Sequence, residues 1–477
     1  MKSMATFSRT RLAIAVVAIA AASVACTTAP RFGQPDADFQ GRISTQPGVI
    51  LPGSQVKVQG SNFKPGQKAQ LFYEGGALTG AVTADAEGKF STETTIPQAA
   101  TPGRHAVLVS ATEPSASAVH TLKVSPDLPL SGADRFAVQA RKTVTGVYQS
   151  AYSAKNKALF VTSAIGRPPV KESELAKLAP DSLDVVAKVT PGQAPGRKDA
   201  QGKAQDGGVF AVYGVGVDDA NGNVWVSNTR QNTVAVYRQS DLKLVKQFEP
   251  GAIGHSRDVM VDEKNGKVFV NGAMSDKVAV FDARTLQLAA TLELKGPAPQ
   301  RAAGGFPGRN AGPAPFATMA MSFDKASGKL FVVGSSGEVA VIDAATNAVE
   351  KTYAVKGVNG AIAIAYDGGT RRVFVGAQGT DNVVVANADN GEVIKDVKVG
   401  AGTLGLVFDP VRKLVYAANR GAGTVTVLDT DGIIVANLEG GPLPNHLSLA
   451  PNGVVYALNK GKAEDVASNN IHRIQPR

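Results

Sequence analysis

Basic and aromatic side chains near the ends of short predicted strands are the residues of this sequence that could do chemistry. The positions that stand out are Arg230, Arg257, Arg420, Lys460, Tyr148, Tyr213 and Phe316. Cations interleaved with aromatic rings suit the phosphates and stacked bases of a single nucleic-acid strand. They suit an acidic polymer or a carboxylated small molecule equally well, and a merely solvated basic rim is the alternative. The net charge of +10 agrees weakly with an anionic partner.

His446, in the stretch LPNHLSLA, begins a predicted inner strand. With Arg257 or Arg420 it could serve a lactone ring, in a lactonase or hydrolase. A contact to a bound ligand and a purely structural role are the other two interpretations.

The sequence offers no cofactor or metal site. The five histidines lack the spacing of metal ligands, and there is no CxxCH, no Walker A loop and no GxGxxG before a helix. Residues 254–258, GHSRD, contain His, Ser and Asp, but neighbouring residues of a strand point to opposite faces. We therefore expect no catalytic residues, no cofactor and no metal.

A short sequence motif recurs through most of the chain. An apolar-x-apolar tripeptide repeats about every 42 residues, with two insertions of about 20 residues. Its copies are Leu159-Phe-Val, Val224-Trp-Val, Val268-Phe-Val, Leu330-Phe-Val, Val373-Phe-Val, Leu414-Val-Tyr and Val454-Val-Tyr. The array therefore predicts stacked supersecondary units.

Each unit divides into four short strands, A to D. In the third unit we expect strands over 258–262, 267–271, 277–282 and 288–294, with Asn265-Gly266 as a two-residue hairpin turn. The seventh unit ends before a fourth strand, while 135–141 forms an orphan strand ahead of the first unit. We expect that orphan to become the outer strand of the last unit, which closes the ring and hides two edges.

Two kinds of polar residue repeat with the units. They are the aspartates that end strand C (Asp282, Asp343 and Asp429) and the asparagines after strand B (Asn228, Asn271, Asn419 and Asn459). Repetition favours turn residues that bond the backbone over catalytic groups. For the asparagines a contact to the channel is the alternative.

Stretches such as KLVYAANRGAGTVTVLD and NVWVSNTRQNTVAVY resemble the YVTN repeat of YncE-like β-propellers. The resemblance covers about 340 residues and implies an all-β, seven-bladed propeller over 133–477. It departs at Val333-Gly334, where asparagine is usual, and at Ala386-Asn387, which replaces the terminal aspartate. Propellers serve as enzymes, binders and scaffolds, so the resemblance implies a fold more than a function.

Residues 42–126 form a different block, in which alternating runs near Gln55, Ala69 and His105 lie between Pro-Gly and Glu-Gly turns. The motifs GSNFKPG and ADAEGKFS resemble the Ig-like modules of bacterial surface proteins, which implies a small Ig-like β-sandwich. Such modules are usually spacers or adhesion units.

The N-terminus is predicted to be a targeting sequence for export. Basic residues precede an apolar run too short to span a bilayer, which indicates a signal peptide over 1–25 and a tether over 26–41. Cys26, the only cysteine, resembles a lipoprotein acylation site, and plain cleavage at Ala25 or Ala29 is the alternative. We expect a monomer in the periplasm or cell envelope, attached to a membrane only through a lipid anchor.

If strand A is innermost, the D–A and B–C loops share one face, and the long insertions fall there. We predict a B–C loop over about 163–181 and D–A loops over about 190–209 and 296–315. Their basic residues are Arg167, Lys171, Lys177, Arg197, Lys198, Lys203, Arg301 and Arg309, against the acidic Glu172, Glu174, Asp199 and Asp206.

Together these patterns predict a non-enzymatic envelope protein that binds an anionic ligand, polymer or protein on the insertion-bearing face. The alternatives are a lactonase or hydrolase, and an envelope scaffold or adhesion protein that retains its partners through the Ig-like module.

Overall fold

The computed structural model describes residues 33–198, 201–297, 316–461 and 468–477. Strands make up 56% of the structure and helix 1%, so the predicted all-β class is confirmed. No helix in these ranges is long and apolar enough to cross a membrane. The predicted signal peptide, Cys26, and the centre of the 296–315 insertion with Arg301 and Arg309 lie outside the described residues.

The N-terminal part forms two antiparallel sheets around one apolar core. Its strands are β1 (Arg42–Gln46), β2 (Gln55–Ser61), β3 (Lys68–Tyr73), β4 (Gly76–Ala77), β5 (Val82–Thr83), β6 (Phe90–Thr95), β7 (Gly103–Thr112) and β8 (Ala116–Val124). One sheet has the order β1-β2-β6 and the other β4-β3-β7-β8, with β5 on β3. Val56 and Val58 of β2 are buried between exposed neighbours, as side chains of a half-buried strand alternate. The predicted strands near Gln55, Ala69 and His105 are confirmed.

Seven four-stranded antiparallel sheets follow in the described residues. A 3₁₀ turn (Ala133–Arg135) leads to β9 (Phe136–Lys142), and the first sheet comprises β10 (Val147–Ser153), β11 (Ala158–Ile165), β12 (Glu172–Leu178) and β13 (Val185–Val189). A small hairpin, β14 (Arg197–Lys198) and β15 (Ala204–Gln205), precedes the second sheet: β16 (Val212–Asp218), β17 (Asn223–Asn228), a 3₁₀ turn (Thr229–Gln231), β18 (Thr233–Arg238) and β19 (Leu244–Gln247).

The remaining sheets repeat this pattern. The third has β20 (Ser256–Asp262), β21 (Lys267–Gly272), β22 (Lys277–Asp282) and β23 (Gln287–Glu293), and the fourth has β24 (Thr318–Asp324), β25 (Lys329–Gly334), β26 (Glu338–Asp343) and β27 (Val349–Ala354). The fifth has β28 (Ala361–Asp367), β29 (Arg372–Ala377), β30 (Asn382–Asn387) and β31 (Val393–Lys398), and the sixth has β32 (Thr403–Asp409), β33 (Leu414–Asn419), β34 (Thr424–Asp429) and β35 (Ile434–Glu439). The seventh has β36 (Pro444–Leu449), β37 (Val455–Asn459) and β38 (Asn470–Pro476).

The first strands of the sheets contact one another cyclically. Each of β10, β16, β20, β24, β28 and β32 contacts the first strand of the next sheet, and β36 contacts β10. Apolar clusters fill the space between successive sheets, and one cluster joins Leu159 of the first sheet to Tyr456 and Ile471 of the seventh. Repeated sheets in this arrangement are compatible with a propeller.

The N-terminal strand of the ring completes the last sheet. The seventh sheet has the order β36-β37-β38-β9, and β9 pairs with β38 from Lys142↔Asn470 to Phe136↔Pro476. The predicted pairing of the orphan strand is therefore confirmed.

The turns between first and second strands are longer than predicted. In the third sheet Asp262 pairs with Lys267, so four residues connect the strands and the predicted two-residue hairpin is wrong. The Asp262 carboxylate accepts hydrogen bonds from the backbone and side chain of Asn265, which organises the wider turn. Gly266 has φ 64°, so the predicted need for a positive φ at this position holds.

The predicted B–C loop over 163–181 is also wrong in extent. Residues Glu172–Leu178 form β12, the third strand of the first sheet, and only 166–171 connect it to β11. Ser173 and Leu175 are both buried, as expected for alternate residues of a strand, whose side chains face the same side of the sheet.

Every first strand shifts its register against the second strand near its beginning. In the third sheet Ser256 pairs with Gly272 and Val259 with Val270, so Arg257 and Asp258 oppose one residue. In the fourth, Met319 is the extra residue. Such bulges re-aim a side chain, and here they do so at the same height in all seven sheets.

The N-terminal unit lies against loops of the fifth and sixth sheets. Lys123 Nζ bonds the Asp381 carboxylate at 2.8 Å and the Gln378 carbonyl at 2.9 Å, and Arg104 donates to Asn359. Asp381 also accepts the Gly402 amide hydrogen. The unit therefore contacts the same side of the ring as the D–A and B–C loops.

Candidate functional site

The first strands enclose a channel with a volume of about 1330 Å³. We call one end of it the mouth, defined by the bulge residues Tyr148, Tyr213, Arg257, Met319, Ile362, Leu404 and Asn445. All of these except Tyr213 line the cavity. Polar and aromatic residues come from the first, second, third and seventh sheets, and the apolar ones come from the fourth, fifth and sixth.

Side chains of the second strands fix the shape of the three wider bulges. Thr162 accepts the Gln149 amide hydrogen, Ser227 accepts that of Gly214, and Asn271 accepts that of Asp258. These acceptors replace the ladder bonds that the bulges interrupt. The backbone that carries Tyr148, Tyr213 and Arg257 is thus held in place.

Three cations reach the mouth because each comes within two residues of the end of a second strand. Arg420 directly follows β33, Lys460 directly follows β37, and Arg230 lies in the 3₁₀ turn after β17. The repeated architecture brings these positions together at one end of the ring. The structure thus joins residues that are far apart in sequence, as we expected.

Lys460 is half-buried above two tyrosines. Its Nζ lies 4.9 Å from the ring centroid of Tyr148 and 5.8 Å from that of Tyr213, and it donates to the Ala164 carbonyl at 3.4 Å. Burial, together with the nearby Arg420 and Arg230 charges, lowers the pKa of Lys460 to about 8.

The tyrosines hold cations. Tyr148 and Tyr213 pack edge to face with centroids 4.8 Å apart, and the Arg230 guanidinium lies 5.7 Å from the Tyr213 ring and donates to its hydroxyl at 3.3 Å. Cations therefore cover ring faces that a nucleic-acid base would need for stacking.

Arg420 is joined to the wall through an amide. Its guanidinium donates to Asn445 Oδ1, and Asn445 Nδ2 donates to the Tyr148 carbonyl at 2.9 Å. Burial lowers the pKa of Arg420, and Tyr148 partly opposes this effect. Among the described residues neither Arg420 nor Lys460 has a carboxylate partner.

Arg257 reaches across the channel. Its guanidinium donates to the bulge carbonyls of Met319 and, at 3.5 Å, Ile362. Its Nε lies 3.8 Å from the carboxylate of Asp258, which also accepts hydrogen bonds from Gln149 at 2.8 Å and from the Met321 amide. Arg257 thus donates to backbone oxygens of the fourth and fifth sheets.

His446 lines the channel as a neutral ring. Its Nδ1 faces the amide hydrogen of Ser150 at 3.3 Å, so Nδ1 accepts and Nε2 carries the proton. Burial lowers its pKa to about 4; Asp258 opposes this effect and Arg257 adds to it. In this state Nε2 can donate to a ligand but cannot act as a general base.

At the opposite end of the channel, two lysines lie close to carboxylates. Lys325 lies 3.7 Å from Glu263, and Lys413 lies 3.7 Å from Asp367. Asp367 also accepts hydrogen bonds from its own turn. Arg420 and Lys460 at the mouth differ from these two lysines, because neither has a carboxylate partner in the described part of the chain.

Other predicted residues lie away from the mouth. Phe316 is 1% exposed and packs in the core between the third and fourth sheets. Lys171 pairs with Asp206, and Lys177 on β12 donates to the Gln239 carbonyl.

The repeated polar residues have structural functions. Asp282 accepts the amide hydrogens of Arg284 and Thr285, which lowers its pKa, and Asn419 is fully buried and donates to Thr424 and Thr426. In GHSRD, the buried Ser256 donates to the Thr233 carbonyl.

Met319, Ile362, Leu404 and Asn445 were missed by sequence reasoning. Each lies one residue into a first strand, but the bulge that re-aims it depends on pairing with the next strand. Within the described ranges no group of three or more His, Cys, Asp or Glu residues could hold a metal ion.

Comparison of the sequence with protein-family models gives no match, and neither does comparison with curated proteins.

Proposed function

We propose that the chain is an exported binding protein of the cell envelope that binds an anionic ligand at the mouth. Its architecture would be an Ig-like β-sandwich followed by a seven-bladed propeller of the YVTN type. The repeated four-stranded sheets, their cyclic contacts and the closing strand β9 support this architecture. Export rests on the N-terminal sequence, with acylation of Cys26 as one form of attachment.

The observation that carries the proposal is the pair of half-buried cations, Arg420 and Lys460. Partly desolvated charges are costly, and burial is the main cause of the lowered pKa of both groups. A bound carboxylate or phosphate would supply the acidic partner that neither residue has among the described residues. The charges of Arg420 and Lys460 therefore favour the binding of an anion at the mouth.

The geometry favours a carboxylate or phosphate group over stacked bases. The faces of Tyr148 and Tyr213 carry Lys460 and Arg230, so these rings position cations. His446 Nε2 and the amide of Asn445 add donor groups along the wall.

Binding is favoured over hydrolysis because His446 Nδ1 already accepts the Ser150 amide hydrogen and Nε2 carries the proton, so neither nitrogen is free to take a proton from a nucleophile. Ser150 and Ser448 bond each other through their hydroxyls at 2.6 Å. Neither serine hydroxyl has a base in this arrangement.

Calorimetric titration with citrate and with inorganic phosphate at low ionic strength tests the proposal. We expect the wild type to bind at least one of them, and the Arg420→Gln/Lys460→Gln double variant to bind about tenfold more weakly or worse. The matched control, Lys325→Gln/Lys413→Gln, removes two cations at the opposite end and should leave affinity unchanged. Equal loss in both variants would mean that the mouth is not the site.

A further inference from the structure

The channel beyond the mouth has an apolar wall. Side chains that line the cavity and are only partly buried include Val217, Met260, Phe323, Leu406 and Phe408. All five pack against the apolar clusters between the sheets and also line the cavity. Water in such a channel can be displaced favourably by an apolar group.

The mouth itself is two-sided. Met319, Ile362 and Leu404 come from consecutive sheets and form an apolar arc. The opposite arc carries Tyr148 and Asn445, with Lys460 and Arg420 beside them. A ligand that enters the channel would contact both arcs.

We infer that the ligand is a single-chain amphiphile whose anionic head is a carboxylate or phosphate monoester. The head would contact Lys460 and Arg420, and the chain would extend along Leu404 and Leu406 into the channel. This inference rests on the proposed function and specifies the class of ligand.

Two arguments favour an amphiphile. A small polar anion would leave the apolar arc and the wall below it in contact with water. A neutral apolar compound would bury Lys460 and Arg420 further without an opposite charge.

The channel has room for a single chain, because its volume of about 1330 Å³ is above the roughly 300–1,000 Å³ that ligand cavities commonly measure. The position of Arg257 limits the path that such a chain can take. Arg257 crosses on the side of Met319 and Ile362, which leaves the side of Leu404 as the path.

The test is a series of butanoate, hexanoate, octanoate and decanoate, each titrated below its aggregation concentration into the full chain. Affinity should rise on the order of tenfold for each two methylene groups. Decanol, which lacks the charge, should bind far more weakly than decanoate. Octyl phosphate compared with nonanoate distinguishes the two head groups.

Variants of the apolar arc test where the alkyl chain of the ligand binds. Leu404→Gln replaces a half-buried residue on the proposed path of the chain and should flatten the chain-length series. Ile362→Gln replaces a half-buried residue on the side that Arg257 occupies and should change the series much less. Arg420→Gln should weaken every member by a similar factor and leave the slope unchanged. The wild-type series is decisive by itself if a leucine or isoleucine variant does not fold.

The outcomes separate this inference from the proposed function. If citrate or phosphate binds but affinity does not increase with chain length, the amphiphile is wrong and the anion site stands. If decanol binds as tightly as decanoate, the assigned head contact is wrong. If no anion binds at all, both proposals fail.

Discussion

Lys460 is a cation beside the mouth whose pKa is lowered towards neutral pH. Its pKa of about 8 means that the free protein loses this cation as the pH rises through that value. Arg420 stays charged over the same range because guanidinium groups titrate far higher. The mouth is therefore most cationic below about pH 8.

Anion affinity should fall as pH rises from about 7 to about 9, with the steepest change in the free protein near the Lys460 pKa. Titration calorimetry with citrate across this range measures the change. Lys460→Arg should bind throughout with little pH dependence. An unchanged profile in that variant would assign the titration to another group.

The same shift predicts how stability depends on pH. Lys460 has an ordinary pKa of 10.5 in the unfolded chain and about 8 in the folded chain. Between these values the unfolded chain binds the additional proton, so the contribution of Lys460 to stability rises with pH. Thermal unfolding of the wild type and Lys460→Gln over this range should show the difference, and parallel profiles would contradict it.

At the scale of elements, β9 differs from every other outer strand because its partner, β38, is at the other end of the chain. The pairing joins the two ends of the ring and covers the edge of β38. The other outer strands, such as β31, pair with strands that directly precede them in sequence.

Breaking the closing strand should therefore cost more than breaking another edge. Gln139→Pro/Ala140→Pro removes ladder hydrogen bonds of β9, and Val393→Pro/Ile394→Pro is the matched change in β31. We expect the β9 variant to melt several degrees lower than the control and to lose hydrogen-exchange protection throughout β36–β38. Equal melting temperatures, with exchange confined to the mutated strand, would show that closure contributes little.

Most strands could be predicted from the sequence because their signals are local. Alternation of apolar residues and glycine turns located the four strands of the third sheet within two residues, and the missing fourth strand of the last unit predicted the role of β9. The strand Glu172–Leu178 was missed because it lacks the Val-x-Val sequence of the third strands in the second to sixth sheets.

The site was predictable only in part. Arg420 and Lys460 directly follow second strands and Arg230 comes one residue later, so their convergence follows from the repeat. Leu404 and Ile362 read as core residues in sequence, because the bulge that exposes them is a property of strand pairing. Phe316 was predicted to contact a ligand because it is aromatic, but its side chain packs in the core between two sheets.

At the scale of the whole molecule, the N-terminal unit contacts the ring beside the mouth. The salt bridge of Lys123 with the 2%-exposed carboxylate of Asp381 is the central polar contact, and Gln378, whose carbonyl Lys123 bonds, lines the channel. The position of the N-terminal unit is therefore coupled to one wall of the site.

Lys123→Glu should release the N-terminal unit, because it places a second carboxylate against Asp381. The expected loss is about 2 kcal/mol of interaction, seen as faster proteolysis within 125–135 and a larger radius of gyration. Lys57→Glu, an exposed change on the same unit, is the control. If both variants are cleaved at the wild-type rate, the contact does not hold the two parts together.

The most direct measurement of the central claim is anomalous diffraction from crystals with a bound fatty carboxylate that has bromine at the end of its chain. We predict the carboxylate at Lys460 and Arg420 and the bromine peak inside the channel beside Leu404 and Leu406. A carboxylate bound elsewhere on the protein, with the mouth empty at saturating ligand, would contradict the account.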